Sequence, residues 1–303
     1  MKKVNYHTHT YRCGHANGSE EDMIKAAIDM GIETLGICCH VPLPHYRLHL
    51  IQSIPSVRSA RSILSLCKAF ASGGPSMRMP YKQLEEHLSL VKECKNKYED
   101  KINIYQGFEA EGLKEYFSYY QSLLNENKVD YLILGHHFHK HCIHSDYFGK
   151  DKMSKKDIYQ YCNDVEQAIE TKLFSYIAHP DLFLTGYHDF GIDMQTVSRR
   201  ICEKAKAYNI PLEINAGGMR KGFIDVNGEQ LYTYPNKYFW KIASEVGNDV
   251  ILGFDAHDPS DFNEGMYNQM IKFAKENNAN FTRKHSKKNG RKCTKSSNKR
   301  CRR

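Results

Sequence analysis

Seven short apolar runs alternate with stretches of helical periodicity along this chain. That rhythm constrains its fold more than any other feature. The runs cover residues 4–9, 34–39, 102–108, 131–134, 176–178, 212–215 and 250–254. Between them, Ser19-Glu-Glu-Asp22 has the form of a capped helix start, followed by Met23, Ile24, Ala27 and Ile28 on one face. Residues 81–98 place Leu84, Leu88, Val91 and Cys94 at helical spacing, and 157–171, 194–208 and 236–246 have the same pattern. Strands that alternate with helices are joined by crossovers and run parallel. About seven such units in some 280 residues suit a closed or nearly closed β/α barrel. One segment breaks the rhythm. Residues 42–80 are long, are punctuated by Pro and Gly, and carry Arg47, Arg58, Arg61 and Arg78, with room for a short helix at 63–70. A loop of that length in a compact domain reads as a lid over one end of the barrel.

Charge divides the chain in two. Residues 282–303 hold eleven Lys or Arg and no acid, and without them 32 basic residues face 35 acidic ones. The net charge of +8 therefore belongs to the tail, and residues 1–281 carry about −3. The tail has no apolar periodicity to offset the entropy of folding, and is expected to be disordered and open to nonspecific contact with anions. The expected division is a domain at 1–281 and a basic tail at 282–303. No run approaches the roughly 18 apolar residues of a membrane span. The first residues carry two lysines but no apolar stretch behind them, so no signal peptide and a cytoplasmic location are expected. Ten cysteines without a Cys-x-x-Cys spacing, in a chain of 303 residues, read as reduced thiols. Cys13 lies between His9 and His15 and reads as a neutral thiol beside their site.

The polar residues that close the apolar runs carry the chemistry. His7 and His9, two apart, project from one face of a strand. His15 follows them, His40 ends the second run, and Glu109 follows the third. His136 and His137 follow the fourth, His179 the fifth, and Asp255 and His257 the last. In a β/α barrel these positions converge at the C-terminal ends of the strands. A histidine-rich set with few carboxylates suits zinc, manganese or iron better than magnesium or calcium. The donors exceed one four-coordinate shell, which implies two or three divalent ions. Clustered divalent ions suit hydrolysis of phosphate esters.

The order His7-x-His9, His15, His40, Gly107-x-Glu109, His137, His179-Pro-Asp and Gly253-x-Asp255-Ala-His257 resembles the PHP (polymerase and histidinol phosphatase) family over about residues 3–275. Residues 212–221, Leu-Glu-Ile-Asn-Ala-Gly-Gly-Met-Arg-Lys, and the Tyr234-Pro-Asn segment resemble its histidinol-phosphatase branch. The resemblance implies an α/β fold, a distorted seven-stranded (β/α)7 TIM-like barrel with a trinuclear metal centre. It places His7, His9, Glu109 and Asp255 on the first ion, and Glu109, His137 and His179 on the second. The third falls to His15, His40 and His257. It further implies a metal-bridging hydroxide, held by Glu109, Asp255 and His257, that attacks phosphorus in line and releases L-histidinol, a late step of histidine biosynthesis. His136 or His137 can supply the ligand after the fourth run, and His137 is favoured. Phe254 stands where similar proteins carry Ser.

Phosphate also needs cationic or N–H partners. Arg220 is the first candidate, with Asn215 shaping the turn before it and Arg78 on the lid. Glu111 and Asp181 are placed to orient ligand imidazoles, with a structural salt bridge as the alternative. His139, His141, His144 and His188 read as loop histidines, with a general acid or a contact to a substrate ring as their alternative. The expected activity is hydrolysis of a small-molecule phosphate monoester, L-histidinol phosphate. The alternatives are a PHP-type phosphoesterase for a nucleotide, phosphotyrosine or DNA end, and a non-catalytic metal-stabilised binding module. The mildly acidic domain weighs against a polynucleotide track.

Overall fold

A computed structural model describes residues 3–44, 78–139, 147–150 and 152–281, together with Ile63 and Cys67. The first helix starts where the sequence places it. Ser19 Oγ accepts the Asp22 backbone N–H, and the Asp22 carboxylate accepts the Ser19 N–H. This reciprocal cap satisfies two of the donors that a helix start leaves open. Helix α1 (Glu20–Asp29) then buries Met23, Ile24 and Ala27. The same device opens the helix at 155–170, where Ser154 and Asp157 exchange hydrogen bonds.

Four parallel strands, β1 (Lys3–Asn5), β2 (Ile32–His40), β3 (Asn103–Ala110) and β4 (Tyr131–Leu134), lie side by side in chain order. A second set pairs β5 (Leu212–Asn215) with β8 (Asp249–Gly253), and β8 with the short β9 (Asn280–Phe281), again in parallel. Between β5 and β8, β6 (Phe223–Val226) and β7 (Glu229–Tyr232) form an antiparallel hairpin. Single bridges link the two sets. Ile177 bridges both Leu134 and Leu212, and Thr8 bridges Ala256. Hydrogen bonds from Ala178 N to Leu134 O (2.9 Å), Glu213 N to Ile177 O (2.9 Å) and His9 N to Ala256 O (2.8 Å) carry these links. The parallel sheet is thus curled. The run at 176–178 is reduced from a strand to a bridge, because His179 takes a φ of 29° and Pro180 offers no N–H.

The crossovers supply α2 (Leu84–Lys97), α3 (Phe117–Asn125), α4 (Lys155–Glu170) and α5 (Ile192–Ala207). After β5 come the five-residue α6 (Ala216–Arg220), α7 (Lys237–Val246) and α8 (Glu264–Glu276). Helices α3, α6 and α8 and the β6–β7 hairpin go beyond the sequence expectation. The main core lies between sheet and helices, and a smaller cluster of Tyr6, Cys38, Tyr131, Ile133, Tyr176, Ala178 and Ile251 fills the space enclosed by the curl. Most of residues 42–80, including Arg47, Arg58 and Arg61, lies outside the described residues, as do His141, His144 and the tail at 282–303. No helix among the described residues is long and apolar enough to cross a membrane.

Candidate metal centre

The strand ends deliver their donors to one place. His7 and His9 follow β1, His40 ends β2, Glu109 is the penultimate residue of β3, His137 follows β4, and Asp255 and His257 follow β8. The Nε2 atoms of His7 and His9 are 3.1 Å apart. Both face Asp255 Oδ1, at 3.3 and 3.2 Å, and Glu109 Oε2, at 3.4 and 3.3 Å. His40 Nδ1 lies 3.0 Å from the same Glu109 oxygen. The other Glu109 oxygen faces His179 Nε2 at 2.9 Å and His137 Nε2 at 3.6 Å. Among the described residues three sets therefore have donor atoms within 4.8 Å of one another: His7, His9 and Asp255; His9, His40 and Glu109; and Glu109, His137 and His179. Glu109 and His9 each belong to two. His15 and His257 face each other through Nε2 at 2.9 Å. The resemblance groups His40 with that pair. Here the His40 donor turns to Glu109, although its ring still stacks on His15 at 5.4 Å.

Outer hydrogen bonds decide which nitrogen each ring offers. Glu213 Oε1 lies 2.9 Å from His7 Nδ1, and Glu111 Oε1 lies 2.9 Å from His137 Nδ1. The Cys13 carbonyl takes His15 Nδ1 at 3.1 Å, the Asp255 carbonyl takes His257 Nδ1 at 2.8 Å, and Cys13 Sγ lies 3.4 Å from His9 Nδ1. In each ring Nε2 is left to face inward, as ligand imidazoles with outer partners do. His40 is reversed and presents Nδ1. The buried His179 Nδ1 has no hydrogen-bond partner among the described residues. This mixture of imidazole nitrogens and carboxylate oxygens fits borderline divalent ions.

The field in the centre is negative at its middle. Burial alone would raise the Glu109 carboxyl, but His40, His7 and His137 hold it well below the usual range. The His7 and His257 charges do the same for Asp255. Burial would depress His7, yet Glu213, Asp255 and Glu109 raise it well above its ordinary value, and His9 rises to about 9 against the same burial. On the rim burial prevails. His257 falls to about 3 with the His9 charge adding to the effect, and His15 also falls. Carboxylates that draw protons onto buried imidazoles would draw a divalent cation more strongly.

A cavity of about 680 Å³ opens onto these donors, and Arg78, Arg220, Lys221, Phe138, Tyr147 and Tyr234 complete its walls. Arg78 is buried, pairs with Glu111 through Nη2, and leaves Nη1 without a partner among the described residues. Arg220 donates to the Phe254 carbonyl at 2.8 Å and the Asp255 carbonyl at 2.6 Å, and its Nε lies 3.1 Å from Asp261. It thus clamps the loop that carries Asp255, which itself takes a φ of 47°. Tyr147 stacks on His137 with ring centroids 6.1 Å apart. Lys221 Nζ sits 4.7 Å above the Tyr234 ring, and burial lowers its ammonium.

A sequence profile of the PHP domain matches residues 5–217 of the chain. The chain belongs to the PHP domain family. It is 24% identical over 263 residues to a protein named a probable histidinol-phosphatase from Deinococcus radiodurans, a match that covers 84% of this chain and 86% of that one. The fold is shared with a candidate histidinol phosphatase, hisK, of Listeria monocytogenes (TM-score 0.66, 22% identity, 88% of this chain and 99% of that one). It is also shared with the histidinol phosphate phosphatase of Lactococcus lactis in complex with zinc, L-histidinol and phosphate (TM-score 0.62, 16% identity, 92% and 95%).

Some residues expected at the site of this PHP domain lie elsewhere. Asn215 is not brought into the pocket. Its Oδ1 accepts the Gly218 N–H and its Nδ2 donates to Glu213, so the amide is spent on shaping the turn. Asp181 orients no imidazole. Its Oδ2 accepts the Asn236 backbone N–H and the Trp240 indole N–H, and burial pushes its carboxyl up to about 7. His136 turns away from Glu109 to Asp164 at 3.2 Å, and His139 lies 2.7 Å from the same oxygen. His188 is exposed and reaches the Thr185 carbonyl. Conversely, Tyr147 was not singled out in the sequence, and Glu213, Lys221 and Tyr234 entered only as members of the segments that resemble the histidinol-phosphatase branch, with no role given. Glu213 had a signal there: an acid inside the apolar Leu212–Asn215 run must be paired if buried.

Proposed function

We propose that this PHP domain is a divalent-metal-dependent phosphomonoesterase acting on L-histidinol phosphate. The observation that carries the reading is the convergence of seven histidines, Glu109 and Asp255 on one cavity that also admits Arg78, Arg220 and Lys221. The parallel sheet is read as a distorted seven-stranded barrel closed through the Ile177 and Thr8 bridges, with the phosphoesterase unit at 1–281. The names of the Deinococcus and Lactococcus proteins support the choice of substrate, and the zinc bound in the latter supports the choice of ion class.

In this reading His7, His9 and Asp255 would hold one ion and Glu109, His137 and His179 a second. His9, His40 and Glu109 would hold a third, with His15 and His257 beside them. Zinc, manganese or iron held by these residues would lower the pKa of a bound water and neutralise phosphoryl oxygens. The remaining work belongs to the chain. Arg78 Nη1 is a buried donor for a phosphoryl oxygen, Arg220 keeps Asp255 in place, and Lys221 adds positive charge at the wall. Phe138, Tyr147 and Tyr234 give a flat leaving alcohol apolar surface.

The test is phosphate release from L-histidinol phosphate, a nucleoside monophosphate and phosphotyrosine, with metal-stripped and zinc- or manganese-restored protein. Preference for L-histidinol phosphate in kcat/KM, lost on stripping and regained on restoration, is expected. Undiminished turnover by stripped protein would overturn the mechanism, and preference for another ester would overturn the substrate.

A further inference from the structure

Behind His7, on the side away from the cavity, lies a carboxylate that has, among the described residues, no charged partner other than imidazole. Glu213 is fully buried in β5, as are His7 and Asn215 around it. Three N–H groups converge on it. His7 Nδ1 lies 2.9 Å from Oε1 and 3.2 Å from Oε2, the His179 backbone N–H reaches Oε2 at 3.1 Å, and Asn215 Nδ2 reaches Oε2 at 2.8 Å. The carboxylate packs directly on Gly253, where a Cβ would overlap Oε1.

The sense of two of these bonds is fixed. A backbone N–H can only donate. Asn215 is held in one orientation because its Oδ1 already accepts the Gly218 N–H at 3.2 Å. Both fixed donors point at Oε2, which must therefore be an acceptor. A carboxylate is an acceptor at both oxygens. Oε1 then receives the proton of His7 Nδ1, and Nε2 is the ring nitrogen left to face Asp255 and Glu109.

We infer that Glu213 is the positioning residue that keeps the His7 proton on Nδ1 and so makes Nε2 the metal-binding atom. The inference rests on the metal-centre reading above and adds a residue to it. It has a consequence specific to the geometry. In Glu213→Gln the amide oxygen must occupy the Oε2 side, where two donors wait. The NH₂ group then faces His7 Nδ1 and requires a lone pair there, which sends the ring proton to Nε2 and blocks the metal-binding atom. An isosteric change that removes no packing thus selects the wrong tautomer.

The test uses zinc-loaded protein labelled with ¹⁵N-histidine. Long-range ¹⁵N–¹H spectra, with His7 assigned through His7→Asn, report which ring nitrogen carries the proton. Zinc titrations of wild type and Glu213→Gln report ion number and affinity, and thermal unfolding of the metal-free forms reports folding. Expected are a proton on Nδ1 of zinc-loaded wild-type His7, and in Glu213→Gln one ion bound about 10- to 100-fold more weakly, the usual cost of losing an outer partner. A His7 proton on Nε2 in loaded wild type, or a folded Glu213→Gln that binds every ion as wild type does, would overturn the inference. If Glu213→Gln fails to fold, the wild-type spectrum alone decides. A wild type that takes up no zinc would instead remove the metal-centre reading itself.

Discussion

Gly135 and Glu109 compete for one volume: a Cβ on Gly135 would overlap Glu109 Oε1, with Cγ and Cδ of the same side chain behind it. That oxygen is the one facing His137 and His179. The first residue after β4 is therefore small because a carboxylate from β3 must stand beside it. Gly135→Ala is expected to leave the far-ultraviolet circular dichroism intact. It should displace Glu109 and lower both bound metal and phosphate release by about 100-fold, the upper end for an outer-partner loss. Normal metal content in the folded variant would show that Glu109 is not a ligand.

Glu109 and His9 each enter two of the three donor sets, whereas His179 enters one. His9→Ala and Glu109→Ala should each disturb two ions, and His179→Ala one. Elemental analysis of purified variants should separate the two classes, with kcat falling by more than about 100-fold in the first class. Equal metal loss in all three would contradict the sharing of Glu109 and His9.

The donors were legible in the sequence because a ligand at a strand end interrupts an apolar run, and each strand end reports independently. The period-two spacing of His7 and His9 and the Ser19–Asp22 cap are local signals of the same kind. The orienting shell was legible only in part. Glu111 was expected to orient an imidazole and lies on His137 Nδ1. Glu213 acts through contacts with His7 and His179, 206 and 34 residues away, and its place inside an apolar run says that it must be paired but not with what. Asp181 was misread for the converse reason. Its place beside His179-Pro180 suggested an imidazole partner, but the chain turn delivers it to the N-terminus of α7 and Trp240 instead. Helix α3 escaped notice because only Tyr120 and Leu123 of its nine residues are fully covered, too few to set a period.

Arg78 has two tasks, and substitution should separate them. Its Nη2 pairs with Glu111, which holds the ring of His137, and its Nη1 is buried without a partner among the described residues, on a residue that lines the cavity. Arg78→Ala leaves the Glu111 charge uncompensated, and breaking a buried pair costs about 3–5 kcal/mol. A lower Tm is therefore expected. Inhibition by inorganic phosphate should also weaken about 10-fold, the worth of one charge-assisted hydrogen bond. Arg78→Lys keeps the charge but loses the fork, and should recover Tm more than phosphate affinity. Phosphate inhibition unchanged in Arg78→Ala would leave Arg78 with its Glu111 task alone.

Acid stability should depend on a cluster outside the cavity. Glu20, buried at the start of α1, accepts Arg12 Nε at 2.7 Å and lies 2.8 Å from His87 Nδ1. Burial by itself raises the Glu20 carboxyl. The hydrogen bond and charge of His87, with the Arg12 hydrogen bond, outweigh it and bring the carboxyl from 4.5 down to about 2. A folded-state pKa below the unfolded one means that the folded state binds the proton less tightly. The resulting stability is full above about 4.5 and is lost as pH falls toward about 2. It amounts to about 3 kcal/mol. Glu20→Gln resembles the protonated acid at every pH. In urea unfolding of metal-free protein, wild type should exceed the variant by about that amount at pH 6, and the gap should close as pH approaches 2. A gap that stays constant over the range would mean that Glu20 stabilises the fold by packing and not by its charge.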